Sequence, residues 1–233
     1  WLALTKVFFG YVLMTWIFLA LVGIWKWRLR LMKTFLVLQI SMLLCLPYVW
    51  HNYKLTGKIF YWGTSGGVSL YWMSTPFPGE TGTWFGNKEF YKDKLPVHKA
   101  HYKLFEDISG LSPVKQDDEL KRAAIQNVLQ HPSKFLFNVG TNCLRMLFDF
   151  PYDFSLQTWK TAWVVIPNMF LLTIFFASLY PAWLARHVIP LQIWSMLAFA
   201  LIAFAGSSLL SGYSRMFTVL VPPPLCLDGL RLD

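Results

Sequence analysis

Few residues of this chain are equipped for chemistry, and most of them fall where apolar sequence gives way to polar sequence. His51, Asn52 and Lys54 stand at the end of the charge-free stretch Thr34–Tyr53, and Arg215 directly follows another, His187–Ser214. An ammonium or guanidinium group beside a partly desolvated phosphate makes strong charge-assisted hydrogen bonds, which suits these residues to a lipid phosphate at a membrane surface. The same residues would serve equally as plain interface anchors. The pair Gly66-Gly67 would let backbone N–H groups approach an anion; a simple hairpin turn needs the same pair. His98 and His101 are three residues apart and could share a helical face, but without nearby carboxylates they assign no metal. Asp117-Asp118-Glu119 reads as a helix start. Cys45, Cys143 and Cys226 are odd in number, far apart and in apolar surroundings, which suggests neither a disulfide framework nor a zinc site. There is no nucleotide-binding glycine loop and no Ser–His–Asp signature. No catalytic residue and no cofactor can therefore be named from these patterns.

The elements that must carry these residues follow from charge and length. Of 233 residues, 55% are hydrophobic and 14% charged. Charge-free runs occupy Val7–Trp25, Thr34–Tyr53, Thr161–Ala185, His187–Ser214 and Met216–Leu227. A helix rises about 1.5 Å per residue, so roughly 20 residues cross the apolar core of a bilayer. The first four runs meet that length, and the fifth meets Pro222-Pro223-Pro224, which kinks or stops it. The reading is a mainly α membrane protein with about five transmembrane helices and a small mixed α/β extracytoplasmic domain. Residues 1–50 would hold two spans, 51–160 the outer domain, and 161–233 two or three further spans.

The net charge of +9 does not point to nucleic acid. Lys26, Arg28, Arg30 and Lys33 lie in one short loop between apolar runs, and Arg186 in another. That is the positive-inside pattern of cytoplasmic loops, and it puts residues 51–160 on the opposite, outer face. The outer segment itself is only mildly basic and has no dense phosphate-binding stripe. A transporter or channel fits poorly, because the membrane runs hold almost no ionisable residues. The opening at Trp1 and the ending at Asp233 read as those of a piece of a longer polypeptide.

Within the outer segment, Ile59–Trp62 and Val68–Trp72 read as short strands around the glycine pair. From Asp117 onward the pattern is helical, with Leu120, Ala124 and Val128 on one face and a break at His131-Pro132. In the following helix Lys134, Asn138, Asn142 and Arg145 recur at helical spacing. Such a helix, near 131–150, would lie in the membrane surface with Phe135, Val139 and Met146 toward lipid or the membrane helices. Packing on its own domain is the alternative.

Three blocks in order resemble the C-terminal half of bacterial membrane glycosyltransferases of the GT-C class, the protein-mannosyltransferase-like family that includes the aminoarabinose transferases. The first runs Pro47-Tyr48-Val49-Trp50-His51-Asn52-Tyr53, Gly57, Thr64-Ser65-Gly66-Gly67, Ser69-Leu70-Tyr71 and Thr75-Pro76. The second is Ala123-Ala124-Ile125 through His131-Pro132-Ser133-Lys134-Phe135, and the third is Ser214-Arg215-Met216. His51 stands where the family usually has Arg, Ser65 and Ser69 where it has Asn, and Met216 where it has an aromatic. The resemblance spans roughly residues 35–225. It implies inverting transfer of a sugar from a polyprenyl-phosphate carrier to an acceptor at the outer face of, for a bacterium, the inner membrane. His51, Asn52, Lys54, Gly66, Gly67 and Arg215 would line the lipid-phosphate site. The family's catalytic carboxylates lie in a loop that precedes this chain. The partners implied are membrane lipid and the polyprenyl-phosphate sugar; other membrane subunits are the partners of the alternative, a non-catalytic subunit built on the same scaffold.

Overall fold

The computed structural model describes residues 7–27, 32–85, 99–151 and 162–210. Among these residues every regular element is a helix: α1 (Val7–Trp27), α2 (Met32–Thr56), α3 (Gly66–Met73), α4 (Lys99–Ile108), α5 (Pro113–Gln130), α6 (Pro132–Phe148), α7 (Ala162–Leu184) and α8 (Leu191–Ser208). The chain divides into two compact units, Trp1–Gly63 and Thr64–Asp233.

In the first unit α1 and α2 pair along an apolar seam, with Leu13 and Leu38 buried among Trp16, Ile17, Phe35 and Met42. The second helix does not stop at Trp50. It continues to Thr56, and Gly57 ends it at φ +70, its N–H donating to the Tyr53 carbonyl at 2.8 Å. A left-handed residue after the last turn is an ordinary helix stop, and glycine adopts it without a Cβ penalty. The chain then folds back on the helix. Tyr48 Oη donates to the Trp62 carbonyl at 2.7 Å and Asn52 Nδ2 to the Tyr61 carbonyl at 3.0 Å. Trp62 ends fully buried against Cys45 and Val49, with its ring against Gly10, where a Cβ would collide.

The second unit is built on α3 and α5. Val68, Tyr71 and Trp72 of α3 meet Leu120 and Ala124 of α5, Phe105 and Ile108 of α4, and Phe85. Sequence reading expects strands at Ile59–Trp62 and Val68–Trp72. The first is irregular and the second lies in a helix. A five-residue apolar run fits either period; here Val68, Tyr71 and Trp72, at i, i+3 and i+4, all face the core, which only a helix allows. Among the described residues, the segment 51–160 is thus helical rather than mixed α/β.

Among the described residues, two helices are long and apolar enough to cross a membrane: Phe35–Thr56 within α2 and Val165–Leu184 within α7. The second is neither near the N-terminus nor a buried core helix, since only 6% of its apolar window is buried. Shorter apolar stretches occupy Gly10–Leu19 and Ile193–Ser208. The stretch that would hold the fifth span lies outside the described residues, as does Arg215. Pro167 and Pro181 both fall inside α7, which runs on past Pro181 to Leu184.

Candidate functional site

The described candidates fall into two groups, one in each unit. In the first unit, His51, Asn52 and Lys54 occupy the last turns of α2 rather than a loop. His51 and Lys54 are exposed. Lys54 Nζ lies 5.5 Å from the centre of the Trp50 ring, and Trp50 and Tyr53 sit 5.8 Å apart. Lys58 Nζ is 5.1 Å over the Tyr61 ring. Cations over aromatic faces at a helix C-terminus are favoured both by the ring quadrupole and by the negative end of the helix dipole. The result is a basic, aromatic collar at one end of a helix long enough to span. Asn52 is different: its amide is engaged with the Tyr61 carbonyl, so its work is to hold the returning loop.

In the second unit, Gly66 and Gly67 open α3 instead of forming a hairpin. The Gly67 N–H donates to Asp117 Oδ1 at 2.5 Å. Any Cβ on Gly67 would collide with the Asp117 backbone carbonyl and side chain. Gly67 therefore meets an anion at a positive helix start, and that anion belongs to the chain itself. Lys121 Nζ, 2.8 Å from Asp117 Oδ2, completes the arrangement. Asp117 is accordingly a buried brace in the first turns of α5, not a solvent-facing helix cap.

A buried polar cluster was not singled out as such by sequence pattern. Tyr71 Oη and His101 Nδ1 are 2.7 Å apart, and His101 Nε2 lies 3.0 and 3.1 Å from the two Glu80 oxygens. Thr75 Oγ1 also donates to Glu80 Oε2. All four side chains are buried. A neutral imidazole satisfies these contacts as the Nε2–H tautomer, donating to Glu80 and accepting from Tyr71. Burial, and then the Glu80 carboxylate, push the Tyr71 hydroxyl well above the ordinary tyrosine range. It is held protonated, a donor rather than a base. Edge-to-face rings enclose the group: His101 lies 4.7 Å from Trp72 and 5.0 Å from Phe77. Sealed in this way, the cluster ties α3, α4 and the segment 75–80 together. One signal could have found it: no Asp or Glu precedes Glu80 in the chain.

The polar stripe of α6 continues this internal work. Asn138 Nδ2 donates to the carbonyls of Met73 and Thr75. Asn142 Nδ2 donates to those of Ser207, Ser208 and Leu210 at the end of α8. Arg145 reaches the carbonyls of Thr81, Gly82 and Pro151, the Thr81 hydroxyl and Asn142 Oδ1. Lys134 Nζ donates to the Glu80 carbonyl at 2.5 Å. Irregular backbone and helix ends carry orphan carbonyls, and one helix face satisfies both sets here. Asn138, Asn142 and Arg145 are fully buried, and so is Met146. The polar stripe thus faces the protein's own backbone, and Met146, expected toward lipid or the membrane helices, is buried.

Among the described residues no group of three His, Cys, Asp or Glu could hold a metal ion; His98 lies outside them. No family model, curated protein or solved structure matches this chain.

Proposed function

We propose that this chain forms part of an integral-membrane glycosyltransferase that moves a sugar from a polyprenyl-phosphate carrier to an acceptor at the outer face of the membrane. The observation that carries the reading is the exposed pair His51 and Lys54, set beside Trp50 and Tyr53 at the end of a helix long enough to span. Two cationic or hydrogen-bonding groups at that depth suit a lipid phosphate. In such a transfer the acceptor hydroxyl attacks the anomeric carbon. Its proton passes to a carboxylate, and the bond to the phosphate oxygen breaks with its electron pair leaving on the phosphate. His51 and Lys54 would stabilise that developing charge. About five spans, an outer domain at residues 51–160 and a bacterial inner-membrane location belong to the same proposal.

The second reading, a non-catalytic membrane subunit on the same scaffold, draws on a specific observation. The motif residues Asn52 and Gly67 spend their hydrogen bonds on this chain's own Tyr61 and Asp117. Binding of a polyprenyl-phosphate sugar to the purified, full-length protein separates the two. Saturable binding that weakens in a His51→Ala, Lys54→Ala double variant supports the transferase. No binding by the folded wild-type protein leaves the subunit.

A further inference from the structure

The burial pattern of α6 is inside out. Its charged and amide residues face inward, while Leu136, Phe137 and Leu144 are 68%, 57% and 48% exposed. These three, with Ser133 and Gly140, make an outward stripe at helical spacing that holds no charge. The two charged residues of the helix, Lys134 and Arg145, are both drawn to backbone carbonyls on the inward side. A helix facing water carries its polar residues outward. Here the polar side is spent on the protein, and the apolar side is left for something else.

Its occupant is indicated by the neighbourhood. Within this same unit α6 packs against both α7 and α8. The α7 surface is itself bare and apolar, with Phe170, Phe176, Tyr180 and Trp183 all more than 60% exposed. A medium that covers α7 along its length reaches the helix packed on it. Lys134 stands at the flank of the stripe, its Nζ 5.0 Å over the Phe137 ring. Held by the Glu80 carbonyl, that ammonium leaves no charge on the outward stripe itself.

We infer that α6 docks in the bilayer interface through Leu136, Phe137 and Leu144, a lipid-facing set distinct from the one its polar periodicity suggests. The inference rests on α7 being a membrane span. By this docking, the segment 73–85 and the end of α8, both strapped to the inward face of α6, are held at a fixed height above the lipid. The membrane surface thereby positions the Glu80–His101–Tyr71 cluster without touching it.

Spin labelling tests this in the full-length protein, with Cys45, Cys143 and Cys226 replaced by Ala, reconstituted into phosphatidylethanolamine–phosphatidylglycerol vesicles. Nitroxides are placed singly at Phe137→Cys and Leu144→Cys. Phe176→Cys on α7 serves as the bilayer reference and Lys103→Cys on α4 as the water reference. The expected result is collision with oxygen exceeding collision with a water-soluble nickel chelate at both test sites, at a depth of about 5–10 Å. Nickel-dominated collisions there, with Phe176 still lipid-like, overturn the docking alone. Low collision with both reagents shows a protein cover, another subunit or a second copy, and also overturns it. A water-like Phe176 defeats the spanning reading and the docking together.

Discussion

The backbone N–H of Gly67 and the carboxylate of Asp117, fifty residues apart in sequence, meet at 2.5 Å and join the start of α3 to the first turns of α5. This contact leaves no room for a side chain at position 67, whereas at Gly66 the nearest atom is the flexible Lys121 Cε, 3.7 Å away. Gly67→Ala is therefore expected to destabilise the second unit by about 1–3 kcal/mol, the usual cost of overpacking. Gly66→Ala should be nearly neutral. Thermal unfolding of the two purified variants checks the contrast; equal midpoints would show that the approach of Asp117 does not constrain this position.

Removing the carboxylate tests the other half of the contact. Asp117→Ala strips a buried helix start of its acceptor and should cost about 1–2 kcal/mol, as loss of a helix cap does. Asp117→Asn keeps an oxygen for the Gly67 N–H and should recover much of that. A midpoint for Asp117→Asn as low as that for Asp117→Ala would mean that charge, not the hydrogen bond, matters here.

The raised Tyr71 hydroxyl predicts a dependence on alkaline pH. In the unfolded chain tyrosine loses its proton near pH 10, at about its ordinary value. In the fold, burial and Glu80 keep it protonated to higher pH. Above about pH 10 the unfolded state binds fewer protons, so the Tyr71 contribution is complete below that pH and is lost as pH rises through the folded value. Tyr71→Phe should flatten this part of the pH–stability curve. It should also lower neutral-pH stability by about 1–3 kcal/mol, because it leaves the His101 ring nitrogen without its phenol. An unchanged alkaline slope in Tyr71→Phe would place the titration elsewhere.

Arg145 uses its guanidinium fork on carbonyls from three positions, and a point charge cannot reproduce that geometry. Arg145→Lys should cost on the order of 3 kcal/mol, the scale of a hydrogen bond to a charged group lost in a buried site. Hydrogen exchange should rise first across residues 79–85. Protection there equal to wild type would show that the loop is held without the fork.

At the other candidate site the expected behaviour is the opposite. His51 and Lys54 are exposed, so His51→Ala and Lys54→Ala should leave the unfolding midpoint unchanged while weakening polyprenyl-phosphate sugar binding. Loss of a charged donor to a phosphate should lower transfer on the order of a hundredfold. Asn52→Ala should instead loosen the returning loop, because the Tyr61 carbonyl loses its donor. If Lys54→Ala lowers stability as much as Asn52→Ala, the collar is structural.

By itself the sequence determined what depends on local composition. Of the four charge-free runs read as full spans, Thr34–Tyr53 and Thr161–Ala185 coincide with the two described helices long and apolar enough to cross a membrane, and the helical pattern read from Asp117 with its break at His131-Pro132 is present, although α5 starts earlier, at Pro113; charge-free length and the 3.6-residue period are properties of a few turns. Only the tertiary structure decided three other things. Val68–Trp72 became helical because three of its side chains find partners on α4 and α5, and a short apolar run carries no preference strong enough to resist that. The polar stripe of α6 turned inward because orphan carbonyls of residues 73–85 and of the end of α8 were waiting there, and a periodic stripe states that two faces differ, not which of them is inside. The anion for Gly67 proved to be Asp117, and Glu80 found His101 and Tyr71, since pairings across twenty to fifty residues are fixed by packing and leave no local period to read.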